Sequence, residues 1–319
     1  MFIDAGGYLK LLNNEIDIGL ADSLTITDHL EGFDIDLTCR LLDKLHAQNY
    51  LKKIYTQYII DSQIKNRYPS LDIEFSVSLQ DKINLHHFEN YNIHPDLNYK
   101  NFICSFNGAD HVSRQLLAST LHKFGYFVEG YCSKNSKQPG NKIDGHIANY
   151  VKNTDFYNNF FDCTDKFNQQ VYSFGLVQFD HAKNIYNLEN KLTQSFLHIV
   201  SETMATSYYP FVTEKFLYSV VTRGLFLTYA QPGWHAHIEK YHGFKLYNKI
   251  FDYSFDSITN PVERLVELMT MIGKFSKLTP HEWNSLYLLE QDNIEFNYNH
   301  YFSKDYLKSL KQLDNTDNI

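Results

Sequence analysis

The chain has 319 residues, of which 43% are hydrophobic and 21% are charged, and its formal net charge is −8. This length exceeds what one hydrophobic core usually serves, so two domains are expected. The acidic balance argues against a general duplex-DNA binder, because contacts from Lys and Arg to phosphates dominate the affinity of such proteins.

The N-terminus and the cysteines favour a cytoplasmic protein. Residues 1–5 lack the basic region and apolar run of a signal peptide, and no stretch approaches the ~20 apolar residues that span a bilayer. The cysteines form no CxxC pair and no zinc-ligand spacing with histidine, so we expect reduced thiols and no metal. They are Cys39, Cys104, Cys132 and Cys163.

The first hundred residues contain two periodic segments. Residues 35–63 have apolar side chains at helical spacing, which predicts a helix. Residues 71–79 alternate strictly between apolar and polar side chains, the pattern of a half-buried strand.

A strand–turn–helix–strand unit follows. Residues 102–106 are predicted to form a buried strand, residues 107–110 a turn, and residues 111–124 a helix that Gly125 ends. Residues 126–128 are predicted to begin the next strand. Such a unit is the building block of an α/β sheet.

Residues 133–170 are polar and broken by Pro and Gly, so we place the domain junction there. The predicted domains are residues 1–165 and 166–295, followed by a C-terminal helix and tail at residues 296–319. The second half repeats the α/β rhythm. Its predicted elements are a strand at 196–200, a helix at 214–222, a strand at 225–229, and helices at 234–241, 261–274, 280–291 and 305–313.

Two carboxylates and a lysine fall at neighbouring places in this pattern. Glu202 follows a strand, and Thr213, Glu214 and Lys215 open the next helix. Ligands of open α/β sheets bind at the carboxyl ends of strands, and a helix start offers N–H groups to a phosphate. A threonine cap followed by Glu and Lys is also ordinary helix-start chemistry, so this purely structural alternative stays open.

The order and spacing of this whole block resemble the C-terminal donor domain of GT-B glycosyltransferases. The resemblance is strongest to fucosyltransferase-like enzymes and to their viral and bacterial relatives, and it covers roughly a third of the chain. A second motif of the viral and bacterial group lies between residues 102 and 133. The matching residues are Glu202, Thr213-Glu214-Lys215, Pro232-Gly233, Gly243-Phe244 and residues 251–256, with Asn107, His111 and Arg114 in the second motif.

The resemblance implies an α/β fold of GT-B architecture, with two Rossmann-like domains facing a central cleft. Residues 1–165 would form the acceptor side and residues 166–295 the donor side. The implied reaction moves a sugar from a nucleotide-diphosphate donor to a hydroxyl acceptor, which would be a glycan, a protein or a modified base. It needs no metal and no further cofactor, and the location is cytoplasmic, in the host if the source is viral.

The resemblance also implies roles for single residues. Glu214 would contact the nucleotide ribose and Lys215 the diphosphate, while Glu202, Thr213 and Gly233 would complete the donor site. Thr203-Met204 stands where the fucosyltransferase pattern has Asn-Ser, so fucose does not follow.

On the acceptor side, Arg114 would face the cleft and contact phosphate or acceptor; its alternative is a surface helix arginine. Asp110 and His111 are the candidates for the catalytic base, because they lie at the mouth of a strand–helix turn. Asp110 is equally the natural N-cap of that helix.

Two further functions stay open. A catalytically inactive relative would bind a glycan or a partner protein without transfer. A transferase acting on hydroxymethylated DNA is the other alternative, which the pI of about 6.0 disfavours.

Overall fold

The computed structural model describes residues 2–3, 10–19, 22–26, 35–57, 62–76, 88, 91–107, 112–134, 181–203, 205 and 210–303. Their strands form two four-stranded sheets, each with its own buried apolar core. All described pairings between strands are parallel. The α/β class is therefore confirmed, and so is the two-sheet organisation that a GT-B architecture requires.

The first sheet follows chain order. Its strands are β1 (Phe2–Ile3), β2 (Ser23–Ile26), β3 (Lys53–Thr56) and β4 (Ile73–Phe75). The described helices between them are α1 (Ile35–Ala47) and α2 (Ser62–Lys65).

The helix predicted over residues 35–63 is wrong beyond Ala47. Asn49 has a φ of 50°, which a helix cannot continue through. In β3 the burial alternates with period two, with Ile54 fully buried, whereas Leu51 is 80% exposed. Apolar residues in a helix and in the strand after it had matched one helical repeat by coincidence.

The order in which the chain adds strands to the second sheet reverses once. Its strands are β5 (Asn101–Asn107), β6 (Tyr131–Lys134), β7 (Ser195–Ser201) and β8 (Leu225–Tyr229), in the order β6-β5-β7-β8. The chain moves from β5 to β6 on one side and later returns to β7 on the other side. A topological switch point therefore lies between β5 and β7, where open α/β sheets bind their ligands.

The sheet pairing corrects the predicted domain boundary at residue 165. β5 pairs with both β6 and β7, so residues 101–134 belong to the second sheet. The division between the sheets lies between β4 and β5, after Phe75 and before Asn101. A strand–turn–helix–strand unit has the same local pattern in either domain, and only the long-range pairing shows which sheet it joins.

The segment after the first helix of this sheet was also predicted wrongly. α3 (Val112–Lys123) ends at Gly125, whose φ is 84°, as expected. The next residues form the helical turn α4 (Tyr126–Glu129) instead of a strand. Tyr126 and Phe127 are nevertheless buried. The apolar run therefore predicted their burial correctly but predicted a strand where the backbone is helical.

Most of the remaining elements agree closely with the sequence. The helix predicted at 305–313 lies outside the described residues, as do most of the predicted junction at 133–170 and Cys163, while the helices at 181–193 and 291–301 were not predicted. The elements are α5 (His181–Thr193), a 3-10 turn (Glu214–Phe216) leading into α6 (Leu217–Val221), α7 (Trp234–His242), a second 3-10 turn (Tyr253–Ser257), α8 (Pro261–Gly273), α9 (Pro280–Leu289) and α10 (Gln291–Tyr301).

The segment that connects the two sheets is fastened to the second one. The Tyr298 hydroxyl donates to the Tyr91 carbonyl at 2.6 Å, and Arg223 donates to the Ile93 carbonyl at 2.8 Å. Arg223 also forms an ion pair with Glu295 at 3.0 Å. The C-terminal helix α10 therefore holds the connection in place.

The first sheet also contacts a helix of the second part of the chain. Phe75, at the end of β4, lies against α7, with ring centroids 5.7 Å from His237 and 5.4 Å from Tyr241. Within the described ranges, no helix combines the length and apolarity needed to cross a bilayer.

Candidate functional site

The carboxyl edge of the second sheet gathers Asn107 and Glu202, which the sequence singled out, and Gln231, which it did not. Asn107 ends β5, Glu202 directly follows β7, and Gln231 stands two residues after β8. Because the strands are parallel, these residues lie at the same edge of the sheet, around the switch point.

Glu202 is fully buried and holds the start of the next helix. One carboxylate oxygen accepts the Thr213 N–H at 3.1 Å, and the other accepts the Thr213 hydroxyl at 2.5 Å. Burial raises the pKa of Glu202, while Lys215 and the bonds from Thr213 act against this rise. Glu202 thus fixes Thr213 from behind, and its predicted contact with a donor stays a prediction.

Thr213 caps the 3-10 turn, as predicted. Its hydroxyl accepts the backbone N–H of Lys215 at 3.5 Å and the Lys215 ammonium at 3.0 Å. That ammonium also lies 3.5 Å from the carboxylate of Glu214, and both side chains keep about one-fifth exposure, 20% and 18%. Glu214 and Lys215 are therefore the parts of this cluster that a ligand can reach.

The positive field at this helix start comes mainly from Lys215. The turn and α6 together cover only Glu214 to Val221 and begin as a 3-10 helix. A macrodipole adds up over many aligned peptides, so a helix of about two turns contributes little beyond its first N–H groups. A mobile ammonium in the same place supplies a full charge.

Arg114 corrects the prediction in two respects. It is only 4% exposed, so it is no surface residue, and it lies on α3 of the second sheet instead of facing across from the first. Its guanidinium donates to the Thr203 hydroxyl at 3.1 Å. The neighbouring Ser113 hydroxyl donates to the Thr203 carbonyl at 2.6 Å. These contacts join the start of α3, which follows β5, to Thr203, which follows β7, at the switch point.

Arg264 is a second buried guanidinium at this edge, and the sequence analysis missed it. It donates to the Ala230 carbonyl, after β8, at 3.0 Å and to the Ala205 carbonyl, after Glu202, at 2.5 Å. A signal was present, since Arg264 stands between Val262 and Leu265 on the apolar face of a predicted amphipathic helix. A cation in that position has to find buried oxygen partners.

Gly233 receives a structural role from the fold. It adopts a φ of 75° and donates its N–H to the Asp256 carbonyl at 2.7 Å. The carboxylate of Asp256 accepts the N–H groups of His235 at 3.1 Å and Ala236 at 3.3 Å. An internal carboxylate thus occupies the start of α7, where an anion would otherwise bind.

His235 and Asp256 form a buried pair whose protons are fixed. The backbone N–H of Thr228 donates to His235 Nε2 at 3.1 Å, so Nδ1 carries the hydrogen and donates to Asp256 at 2.7 Å. Burial raises the pKa of Asp256, but the interaction with His235 and the hydrogen bonds from His235 and Ala236 outweigh it and hold that pKa below its usual value. With both ring nitrogens engaged, His235 is not placed to accept a substrate proton.

The rest of the segment 251–256 is also structural. Asp252 caps the second 3-10 turn by accepting the Ser254 N–H at 2.9 Å, and Phe251 and Phe255 are buried in the core. This part of the matching pattern supports the turn around Gly233 instead of meeting a ligand.

The proposed catalytic bases, Asp110 and His111, lie outside the described residues. Asn107, which begins that motif, is buried at the end of β5, where its backbone N–H donates to the Ser133 hydroxyl at 3.0 Å. Within the described part of the chain, no group of three or more His, Cys, Asp or Glu side chains could hold a metal ion.

A cavity of about 580 Å³ lies elsewhere, at the amino ends of β2 and β3. Its wall includes Lys44 and Lys52, which donate to main-chain carbonyls of the loop over residues 11–19. These ammonium groups therefore hold the loop. Since ligands of α/β sheets bind at the opposite, carboxyl edge, this cavity is not the candidate site.

Comparison with known proteins gave one structural similarity. The chain matches no protein-family model, and no curated protein matches its sequence. Among solved structures it is similar to an α,α-trehalose-phosphate synthase (UDP-forming) from Burkholderia vietnamiensis, with 8% identity and a TM-score of 0.43. The similarity covers 100% of this chain and 73% of that one. A likeness of this size does not transfer a function, which has to follow from the site itself.

Proposed function

We propose that this protein is a glycosyltransferase that moves a sugar from a nucleotide-diphosphate donor to a hydroxyl acceptor. The observation that carries the proposal is the cluster of Thr213, Glu214 and Lys215 at the carboxyl edge of the second sheet. The cluster lies beside the strand that borders the switch point and presents one reachable cation and one reachable carboxylate.

The chemistry of this cluster suits a leaving diphosphate. When the bond to the sugar breaks, negative charge grows on the phosphate oxygens, and a preorganised cation stabilises it. Lys215 lies only 3.5 Å from Glu214, in a partly exposed pair that is worth little by itself. The ammonium can therefore turn to a phosphate at small cost, and the carboxylate of Glu214 offers acceptors for ribose hydroxyls.

The surroundings of the cluster favour a rigid site. Glu202 fixes Thr213 from behind, and the buried guanidinium groups of Arg114 and Arg264 fasten the chain just after Glu202, at Thr203 and Ala205. A site that is held before the ligand arrives loses less entropy when it binds. The diphosphate charge is met by Lys215 and backbone N–H groups, so we expect activity without a metal.

A panel of UDP-, GDP- and dTDP-sugars tests the proposal by thermal shift and by release of the nucleotide. Saturation at about 100 times Kd stabilises a protein by about 2.7 kcal/mol, which a thermal shift resolves easily. We expect Lys215→Ala and Glu214→Ala to lose this stabilisation. Lys53→Ala removes the surface ion pair with Glu74 on the first sheet and serves as the matched control.

The outcomes separate the alternatives. A donor that stabilises the protein and releases its nucleotide, in EDTA as well, supports a metal-independent transferase. Binding without any release in the presence of glycan, protein or hydroxymethylated DNA acceptors would contradict the enzymatic role. A panel in which no donor binds, or in which Lys215→Ala binds as well as the wild type, overturns the proposed site.

A further inference from the structure

Both backbone polar groups of Phe211, its N–H and its carbonyl, are hydrogen-bonded to side chains of the turn that follows β8. Its N–H donates to the Gln231 side-chain carbonyl at 3.1 Å. Its carbonyl accepts the indole N–H of Trp234 at 3.2 Å. Gln231 and Trp234 are both fully buried, so neither side chain is open to a ligand from solvent.

The turn that provides these two contacts is itself rigid. Trp234 packs edge-on against Phe216 with ring centroids 5.6 Å apart. The helix that Trp234 begins is fixed by the carboxylate of Asp256, which also holds His235. His235 in turn accepts a backbone N–H of β8. The clamp on Phe211, formed by the side chains of Gln231 and Trp234, is therefore anchored to the sheet.

Phe211 stands two residues before Thr213, so its peptide sets where the 3-10 turn begins. The carboxylate of Glu202 fixes Thr213 from one side, and the clamp fixes the chain that leads into it from the other. The position of Lys215 therefore depends on both the Glu202 carboxylate and the clamp.

We propose that Gln231 and Trp234 are positioning residues that hold the Phe211 peptide and thereby place Thr213 and Lys215 for an anionic ligand. This role rests on the proposed function. It gives the turn at residues 231–234 a task different from the direct donor contact that the sequence suggested for Gly233. A displacement of about 1 Å at a reactive site can cost on the order of 10²-fold, so small hydrogen bonds matter here.

The chain contains a matched control for this clamp. Its two tryptophans each donate an indole N–H to the carbonyl of a phenylalanine. Trp234 donates to Phe211 at 3.2 Å, and Trp283 donates to Phe275 at 2.8 Å. Trp283 stacks on Phe102 and Phe196, at the amino ends of β5 and β7, which is the edge opposite the candidate site.

The experiment compares Trp234→Phe with Trp283→Phe in the full chain. Both variants lose one indole hydrogen bond and some ring volume, and we expect similar falls in thermal midpoint. Binding of UDP and of GDP is measured by calorimetry. We expect Trp234→Phe to weaken the affinity at least tenfold and Trp283→Phe to change it less than twofold. Gln231→Met, which removes the acceptor for the Phe211 N–H, should behave like Trp234→Phe and gives a second test.

The failures are distinguishable. A wild type that binds one of the nucleotides, together with Trp234→Phe and Gln231→Met variants that bind it equally well, overturns the positioning role and leaves the proposed function standing. A wild type that binds neither these nucleotides nor any donor of the sugar panel overturns the proposed function, and this role falls with it. Equal losses in Trp234→Phe and Trp283→Phe would show a general effect of stability and would also overturn the positioning role.

Discussion

Glu202 stabilises the candidate site without being exposed to it. Both carboxylate oxygens accept bonds from Thr213, and the side chain has no exposed surface. Such a residue contributes through the shape of the site, because a buried acceptor with two donors allows one arrangement of the chain. The donor contact that the sequence predicts for Glu202 stays a prediction, and the structure shows that both of its carboxylate oxygens accept from Thr213.

Glu202→Gln is expected to lower the free energy of unfolding by about 1–3 kcal/mol, because the amide offers one acceptor where Thr213 presents two donors. Urea unfolding at pH 7 measures the loss. Glu239→Gln removes an exposed carboxylate on α7 and should stay within about 0.5 kcal/mol of the wild type. Equal stability of Glu202→Gln and the wild type would show that the two bonds contribute nothing.

Gly224 and Gly233 need glycine for different physical reasons. At Gly224 an added Cβ would lie 2.1 Å from Cε1 of His198, whose ring is fixed by a bond to the Leu192 carbonyl. At Gly233 nothing lies within 4 Å, and only the positive φ opposes a side chain. The first position is limited by space and the second by backbone strain.

Gly224→Ala should therefore destabilise the fold through overpacking, by about 1–3 kcal/mol or more. Gly233→Ala should cost about 1–2 kcal/mol, the strain of an L-residue in the left-handed region. A His198→Ala background provides the decisive measurement. There Gly224→Ala should cost clearly less than in the wild type, while Gly233→Ala should cost the same. Additive effects of His198→Ala and Gly224→Ala would contradict the clash.

At the scale of single elements, the bounds predicted from the sequence were most accurate where several local signals agreed. The strand β8, the helix α7 between Pro232-Gly233 and Gly243, and the capped helix α8 match their predicted bounds within a residue. Each combines an apolar pattern with a turn residue at its end. The strand predicted at 126–128 failed because its apolar residues were buried in a helical turn, and burial alone does not fix backbone shape.

The site could be predicted only in part for the same reason. Thr213, Glu214 and Lys215 are neighbours in the chain, so their cluster was visible from the sequence. Arg264 reaches the edge from a helix far along the chain, and Gln231 reaches Phe211 across 20 positions. Such contacts depend on tertiary packing, which no local pattern specifies.

Asp256 links two elements. It lies in the second 3-10 turn, and its carboxylate caps α7 and accepts a hydrogen bond from the His235 ring. Asp256→Asn is expected to lower the free energy of unfolding by about 1.5–3 kcal/mol, the usual worth of hydrogen bonds to a charged group. Urea unfolding measures this. The pKa of Asp256 is lowered in the folded state, so its contribution is present above the unfolded pKa and is lost as pH falls through the folded one. The difference between Asp256→Asn and wild type should accordingly shrink at low pH, and a constant difference would contradict the assigned charge.

At the scale of the whole molecule, two sheets with separate cores are joined by a connection that belongs to the second. Arg223 and α10 hold residues 91–93, and Phe75 meets α7 across the junction. The sequence predicted two α/β domains correctly but divided them too late in the chain. The division depends on pairing between β5 and β7, which are separated by more than eighty residues.

The whole fold should also lose stability in mild acid, because it buries histidines in their neutral form. Burial lowers the pKa of His198 from 6.5 to about 4, and burial together with His242 and Lys240 lowers that of His237 to about 3. Below about pH 6.5 the unfolded chain binds protons that the folded chain excludes, so stability falls as pH falls. The raised pKa of Glu202 acts in the opposite direction, since a folded carboxyl that protonates early gains stability in acid.

For His198 alone, the difference between a pKa of 6.5 and one of about 4 makes the protein about 2 kcal/mol less stable at pH 5 than at pH 7. Urea unfolding at the two pH values measures the change. His198→Gln keeps a donor for the Leu192 carbonyl but cannot titrate, so it should reduce the difference in stability between the two pH values by about 2 kcal/mol. His281→Gln, at an exposed position on α9, should leave it unchanged. If both variants keep the wild-type slope, the loss in acid arises from groups other than the histidine buried in β7.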